Sequence, residues 1–185
     1  MDEIKAKSDI YGYRDANPLL FGRDALLDSL IEAFKFAIYE QPGRIFPAGK
    51  IAFQKDAHST VWMLLPSGRA VPHYSAHISH EGEMAFFRGK FGAMMRQKAF
   101  GGSLLEIACQ SMTRDLVTAA EADIERELPD VVLILDVYDS ILALCRTEVA
   151  SERCEQMRKL MTRPRAWTAG LPLDAEGYFA VRMRK

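Results

Sequence analysis

The sequence predicts an α+β fold, in which helices pack on one face of an antiparallel β-sheet. Apolar residues recur at helical spacing in three segments, which begin near residues 19, 101 and 148. β-Prone runs come in two pairs, each joined by a short polar stretch, as in β-hairpins. Because the strands follow each other as hairpins and do not alternate with helices, we expect the sheet to be antiparallel.

Three regions are predicted in chain order, at residues 1–17, 18–100 and 101–185. The first region is polar and irregular. The second opens with a helix over 19–40, which stops at Gln41-Pro42-Gly43 because proline and glycine end helices. A hairpin then joins "KIAFQ" (50–54) to "TVWMLLP" (60–66), and residues 70–101, which lack a clean period, are predicted to form short strands and loops.

The last region is predicted to hold two helices and a second hairpin. "GGS" at 101–103 opens a helix that ends before Pro129, the hairpin covers 131–145, and another helix covers 148–162. This final helix has glutamates near its start and basic residues near its end, which is the charge order that the helix dipole favours. The tail, 164–185, is too rich in apolar and aromatic residues to be predicted as disordered.

The composition is that of an ordinary soluble globular protein. The 185 residues suffice for one domain or two small lobes, and hydrophobic residues make up 49% of the chain. No apolar run approaches the roughly 20 residues that span a bilayer. The charged N-terminus is followed by no apolar segment, so we expect a cytoplasmic protein without a membrane partner. The odd number of cysteines (Cys109, Cys145 and Cys154) predicts reduced thiols.

The net charge of −1 argues against a protein that binds nucleic acid by itself, because phosphate contacts supply most of the affinity for nucleic acid. Three stretches are nevertheless basic: "RGKFGAMMRQK" (88–98), "RKLMTRPR" (158–165) and "RMRK" (182–185). Taken singly, each of them is interpreted as a solvated face.

Histidines and aromatic residues cluster in the middle of the chain. His73, His77 and His80 lie close together, but no acid or cysteine completes a convincing ligand set nearby, so a metal site is not expected there. Several aromatic residues are interpreted as core packing and not as platforms for stacked bases: Trp62, Phe86, Phe87, Phe91 and Phe100.

The tip of the second hairpin, within "ILDVYDSILAL" (134–144), has poor turn chemistry. Tight turns that match the twist of the strands need a positive φ, which glycine or asparagine supplies, whereas this tip reads Tyr138-Asp139-Ser140. Something other than the turn therefore selects these residues. Asp136, three residues earlier, is assigned a capping or strand-edge role.

Four motifs in a fixed order carry a family resemblance: "LPSGR" (65–69), "GGSLLEIACQSMTRDL" (101–116), "DVVLILDVYDSI" (130–141) and "AWTAGLPLDAEGYFAVRMRK" (166–185). Together they resemble the C-terminal part of phage-type family A DNA polymerases, relatives of bacterial DNA polymerase I. The pattern "ANP…PG…G" at 16–49 also resembles the stretch that follows the fingers in that family. The resemblance covers nearly the whole chain, which corresponds to a fragment of a much larger protein.

The resemblance implies a palm-like antiparallel sheet with a hairpin of the type called motif C. In that family the motif C aspartate holds catalytic magnesium at the primer end, and Asp139 matches it as the catalytic and metal-binding residue. Gln110 matches the glutamine that contacts the minor groove of the primer–template, and Arg114 lies one helical turn further on the same face. The implied nucleic-acid-binding set also contains Tyr138, Ser140 and Lys98.

The chain also departs from the family. Tyr138 and Ser140 replace the histidine and glutamate of motif C, and Ile107 replaces an asparagine near Gln110. Neither the motif A pattern "DYSQIE" nor the motif B pattern "RxxxKxxxFGxxYG" occurs in the sequence. One carboxylate cannot bridge two magnesium ions about 4 Å apart. Polymerase activity is therefore expected only with a partner chain that supplies both motifs and shares Mg2+, acting on primer–template DNA.

Two functions follow from these matches and departures. The first is the C-terminal palm subunit of a split DNA polymerase, acting in phage or bacterial DNA replication. The second is a catalytically inactive, palm-like accessory protein that binds a replication protein or duplex DNA. An unrelated α+β binding module would require the ordered motifs to be a coincidence. Because a palm half packs against the rest of a palm, we expect an unfilled sheet edge or face that a partner chain or self-association covers.

Overall fold

A computed structural model describes residues 13, 15–21, 26–90 and 92–182 of the chain. It confirms the α+β class, with helices and antiparallel strands. The chain divides into two compact units, Met1–Cys109 and Gln110–Lys185, which are described separately below. The sequence places a boundary at 100/101, whereas the structural division falls inside a helix. Most of the predicted N-terminal segment lies outside the described residues.

The described residues of the first unit form helices and a six-stranded sheet, and the first turns of a longer helix also belong to this unit. The helices are α1 (Pro18–Phe21) and α2 (Leu26–Tyr39). The strands are β1 (Ile45–Ala48), β2 (Ile51–Lys55), β3 (Val61–Leu64), β4 (Ala70–Ile78), β5 (Met84–Lys90) and β6 (Ala93–Lys98). Each strand pairs with the next one along the chain, so the sheet is an antiparallel meander.

The sequence predicted part of this sheet. The helix and the β2–β3 hairpin are confirmed, but β1 was missed because Pro47 interrupts its short β-prone run. Residues 70–98 form three long strands and not short ones with loops. Their period is obscured by a β-bulge between Tyr74 and His77, where Ser75 has a φ of 47°.

The core of the first unit lies between α2 and one face of the sheet. Leu30, Ala33, Phe34 and Ala37 are the buried residues of α2, at the spacing of a single helix face. The Phe34 ring meets the rings of Phe53, His73 and Phe86 edge-on, with centroids 5.4 to 6.1 Å apart.

A glycine allows helix α3 (Gly101–Glu127) to begin against α2. A Cβ atom added to Gly101 would lie 2.9 Å from the Cβ of Leu27 and 3.0 Å from the Leu27 carbonyl oxygen. The neighbouring Gly102 would instead meet the ring of Phe100 at 3.0 Å. Gly101 therefore permits a close backbone contact within the first unit.

The second unit contains the remainder of α3, a hairpin and a further helix. Its elements are β7 (Val132–Val137), β8 (Ser140–Leu144), a 3-10 turn (Thr147–Val149), α4 (Ala150–Met161) and another 3-10 turn (Ala166–Thr168). The predicted hairpin and helix are confirmed. However, β7 and β8 form a two-stranded sheet of their own, where the sequence analysis expected one sheet for the chain.

The core of the second unit is small and is supported by ion pairs. Ile124, Leu128, Val131 and Leu160 form its buried centre, against which residues of the hairpin and α4 pack. Asp123 of α3, 5% exposed, accepts hydrogen bonds from Arg126 and from Arg165, the latter at 2.7 Å. Burial opposes ionisation of Asp123, but these arginines hold its pKa below the ordinary value.

No helix in the described ranges is both long and apolar enough to cross a membrane. The three cysteines are free thiols.

Candidate nucleic-acid interface

The β7–β8 hairpin turns through two residues, Tyr138 and Asp139. Val137 pairs with Ser140, so the loop is as short as a hairpin loop can ordinarily be. Tyr138 has a φ of 56°, a left-handed conformation that costs a non-glycine residue roughly 1–2 kcal/mol. Its side chain is 87% exposed, so packing does not compensate for this strain. The unusual turn chemistry noted in the sequence is thus a real strain in the structure.

Asp139 presents an exposed carboxylate beside this tyrosine. The Ser140 hydroxyl donates a hydrogen bond to its Oδ1 atom at 3.3 Å. Protein Mg2+ sites commonly use one or two carboxylates together with waters and substrate phosphates. Asp139 can supply one such ligand, but no group of three or more His, Cys, Asp or Glu within the described ranges could hold a metal ion.

Arg114 joins helix α3 to the hairpin. Its Nη1 atom donates to Oδ2 of Asp136 on β7, an ion pair whose side chains are 48% and 33% exposed. Asp136 lies on a strand that pairs on one side only, in keeping with the edge role assigned from the sequence, and it is in addition the partner of an arginine. The charge of Arg114, a predicted nucleic-acid contact, is already compensated within the second unit.

An open groove lies beside this ion pair, between α3 and β7. It is lined by Thr118, Glu121, Ala122 and Glu125 of α3 and by Leu133, Ile134, Leu135 and Asp136 of β7. Burial, with a contribution from Asp136, raises the pKa of Glu121. Three carboxyl groups in one groove repel phosphate, so this groove does not favour a nucleic-acid backbone.

The other predicted contacts lie on different elements. Gln110 and Arg114 are both exposed on α3, one turn apart, as the sequence predicted. Lys98 belongs to β6 in the first unit, where its Nζ atom lies 2.5 Å from Oε1 of Glu83. A hydrogen bond from Lys98 and its charge lower the pKa of Glu83. The structure thus pairs Lys98, like Arg114, with an acid.

The three clustered histidines occupy different environments. His73 is buried among the core rings, its Nδ1 atom donates to the Val71 carbonyl oxygen at 3.2 Å, and its Nε2 atom has no hydrogen-bond partner among the described residues. Burial lowers the pKa of His73 to about 4. His77 instead stacks on Phe87, with ring centroids 6.5 Å apart, and His80 is exposed in a turn.

The five aromatic residues that the sequence assigned to core packing have different outcomes. Phe86 is core, as predicted, and Phe100 is 59% exposed, so core packing is wrong for it. Trp62 and Phe87 are only partly buried, while Phe91 lies outside the described residues. An aromatic and basic row on the sheet could not be found from the sequence. Strand register places Tyr74, Phe87 and Arg96 side by side, and register is not visible in the sequence.

The second unit exposes a large apolar surface. Half or more of the side-chain surface is exposed at several hairpin and tail positions: Val132, Ile134, Leu144, Leu171, Tyr178, Phe179 and Val181. In the part of the chain that the structure describes, each strand of the two-stranded sheet also has one edge without a strand neighbour. This is the kind of unfilled surface that the sequence analysis expected.

Comparison of the chain with protein-family models, with curated proteins and with solved structures finds no match. The resemblance to family A polymerases therefore remains a prediction from the sequence motifs.

Proposed function

We propose that this chain is the C-terminal palm subunit of a family A-like DNA polymerase whose motifs A and B reside on a partner chain. The observation that carries the proposal is the Arg114–Asp136 ion pair, because it ties the helix bearing Gln110 to the hairpin that ends in Asp139. An exposed glutamine and an exposed acid on two linked elements fit a site that grips a duplex beside its reacting end.

Each residue is assigned only the chemistry that this chain can supply without the residues of motifs A and B. Asp139 would provide one carboxylate ligand for Mg2+, which stabilises the charge that develops during phosphoryl transfer. Gln110 would contact minor-groove acceptors, which every base pair presents, and so grip DNA without reading its sequence. Tyr138 and Ser140 flank the acid at the exposed tip and would contact the primer strand.

The apolar surface of the second unit supports a partner chain. Exposed valine, isoleucine and leucine on both strands of a small sheet are typical of a surface that another protein covers. A two-stranded sheet is also marginal by itself and gains stability from further strands.

Primer extension tests this proposal directly. Polypeptides that co-purify with this chain from its native host and carry motifs A and B should gain Mg2+-dependent extension activity when the chain is added. Asp139→Asn should abolish the gain, because the amide cannot replace a charged ligand. Asp174→Asn, which changes another exposed acid, is the matched control and should retain activity. Extension that survives Asp139→Asn would remove Asp139 from the mechanism.

A catalytically inactive accessory protein is the second candidate. The compensation of Arg114 by Asp136 favours it, together with the replacement of two polar motif C residues by Tyr138 and Ser140. Such a protein would bind duplex DNA equally well with Mg2+ and with a chelator. Fluorescence anisotropy with a labelled duplex would show this, and Gln110→Ala should weaken the binding while Asp139→Asn leaves it unchanged.

A further inference from the structure

The six-stranded sheet has one face that α2 does not cover, called here the outer face. Side chains alternate between the two faces of a strand, so the neighbours of buried core residues point outward. His73 and Phe86 contact Phe34 on the covered face. Tyr74 and Phe87, the next residues along their strands, therefore lie on the outer face.

Register aligns three aromatic residues on the outer face into what we call the aromatic row: Trp62, Tyr74 and Phe87. Tyr74 pairs with Phe87, and Trp62 pairs with Pro72, two residues before Tyr74. Neighbouring strands are about 4.8 Å apart, and diagonal positions about 7–8 Å apart. The three side chains thus follow one another across three adjacent strands.

The β-bulge in β4 extends this row. An extra residue between Tyr74 and His77 places His77 opposite Ala85, and hence on the outer face, where its ring stacks on Phe87. The Nδ1 atom of His77 lies 2.9 Å from the Ser75 carbonyl oxygen, which fixes the ring. Bulges commonly re-aim a side chain in this way next to functional sites.

A cation continues the row on β6. Arg96 pairs with Phe87 across the strands and is exposed, and Met94 on the same face is 54% exposed. The nearby carboxylate, Glu83, lies 2.5 Å from Lys98, which compensates its charge.

Trp62, at the other end of the row, is held in place and borders a groove. The Trp62 Nε1 atom donates to Oδ2 of Asp56 at 2.8 Å, which holds the indole ring. Oδ1 of Asp56 accepts from the backbone amides of His58 and Thr60, so this acid is engaged by three donors. Trp62 lines an open groove together with Pro42, Gly43, Gln54, Lys55, Asp56 and Ala57.

We propose that the outer face binds single-stranded DNA, with unpaired bases stacked along the aromatic row and a phosphate on Arg96. Flat aromatic side chains on an open sheet beside a cation match the chemistry of single-strand binding, where stacking is tolerant of sequence. Bases within a duplex already stack on each other and do not offer their faces. The row belongs to the first unit and includes none of the residues assigned to polymerisation, so this inference does not depend on the proposed function.

Fluorescence anisotropy with a labelled oligothymidylate of about 20 nucleotides at low salt tests the proposal. Tyr74→Ala should weaken binding about tenfold, and Tyr74→Phe should retain it, because stacking needs the ring and not the hydroxyl. Arg96→Gln should weaken binding and reduce the slope of log affinity against log salt by about 0.7.

Matched controls separate these effects from unfolding. Tyr39→Ala removes an exposed tyrosine from α2, and Arg88→Gln removes an arginine from the covered face of β5. Both should bind like the wild type. All variants are compared by thermal melting, and a Tyr74→Ala protein that melts early is replaced by Tyr74→Ser. The chain has two tryptophans, so Trp62 is the remaining one in a Trp167→Phe variant. Binding of the oligonucleotide to this variant should quench the fluorescence of Trp62.

Three outcomes would overturn the proposal. In the first, the wild type does not bind the oligothymidylate at low salt. In the second, the wild type and a folded Tyr74→Ala variant bind it equally well. In the third, a duplex of the same length competes for the protein as well as the unlabelled single strand does. Tighter binding of oligouridylate would assign the face to RNA and overturn the choice of DNA. Single-strand binding is measured on this chain alone and without Mg2+, so its outcome is separate from that of the primer-extension experiment.

Discussion

A neutral imidazole buried among phenylalanine rings makes His73 sensitive to acid. Its pKa is about 4 in the folded protein, against about 6.5 in the unfolded chain, and Arg88 adds repulsion for the protonated form. The unfolded state therefore binds the proton first as the pH falls. Above pH 6.5 the imidazole is neutral in both states, so His73 does not make the stability depend on pH. Between pH 6.5 and pH 4 it should lower the free energy of unfolding by about 3 kcal/mol.

Urea denaturation at pH 7 and pH 4.5 measures this dependence. His73→Met should lose much less stability between the two pH values than the wild type, because it removes the group that gains a proton on unfolding. His80→Gln, at an exposed histidine, should behave like the wild type. An unchanged pH dependence in His73→Met would show that carboxylates dominate acid unfolding.

Tyr138 bears a strain that glycine would not. Tyr138→Gly should raise the free energy of unfolding by about 0.5–1 kcal/mol, since the left-handed penalty disappears and the entropy cost of glycine offsets part of the gain. Thermal melting checks this, with Tyr138→Phe as the control that keeps the strain. A lower melting temperature for the glycine variant would mean that the exposed ring makes a stabilising contact.

At the scale of elements, the ion pairs around Asp123 hold the end of α3 to the C-terminal tail. Arg165 and Arg163 reach Asp123 Oδ2 at 2.7 and 3.3 Å. Asp123→Asn should lower the free energy of unfolding by about 2 kcal/mol, the scale of a hydrogen bond to a charged group, because the half-buried guanidinium groups of Arg163 and Arg165 lose a buried counter-charge.

Chemical denaturation at neutral pH would measure this loss, with Glu125→Gln at an exposed position of the same helix as the control. The pKa of Asp123 is lowered by folding, so its contribution is complete above pH 4 and fades as the pH falls further. Equal stability of the two variants would contradict a structural role for the cluster.

The elements that the sequence predicted well are those with strong local signals. The helix stripes from Leu26 and from Leu104 and the two hairpins at 51–64 and 132–144 agree with the patterns. The strand β1 and the bulge in β4 could not be predicted, because Pro47 and Ser75 adopt their conformations only through pairing with other strands.

The candidate sites show the same limit. Exposure of Asp139 at a hairpin tip follows from the local pattern, but its family role rests on resemblance. The ion pair between Arg114 and Asp136 joins residues that are 22 positions apart, and no periodic pattern in the sequence indicates such a pair. The aromatic row likewise depends on register across three strands and becomes visible only in the folded sheet.

At the scale of the whole molecule, the exposed apolar residues of the second unit should drive association. Val132 and Leu144, paired across the hairpin, are 58% and 61% exposed. The chain by itself should show an apparent mass that rises with concentration in analytical ultracentrifugation, and Val132→Lys with Leu144→Lys should shift it toward the monomer. Leu19→Lys, in the exposed helix α1, should have no such effect. A wild type that stays monomeric at high concentration would contradict this expectation.

The near-contact of Gly101 with Leu27 implies that one position of the chain admits almost no sequence variation. A methyl group there would collide with a backbone carbonyl, which cannot rotate away, whereas at Gly102 it would press on a ring that can turn. A saturation library scored for folded protein should therefore return glycine at 101 and a broad range of residues at 102.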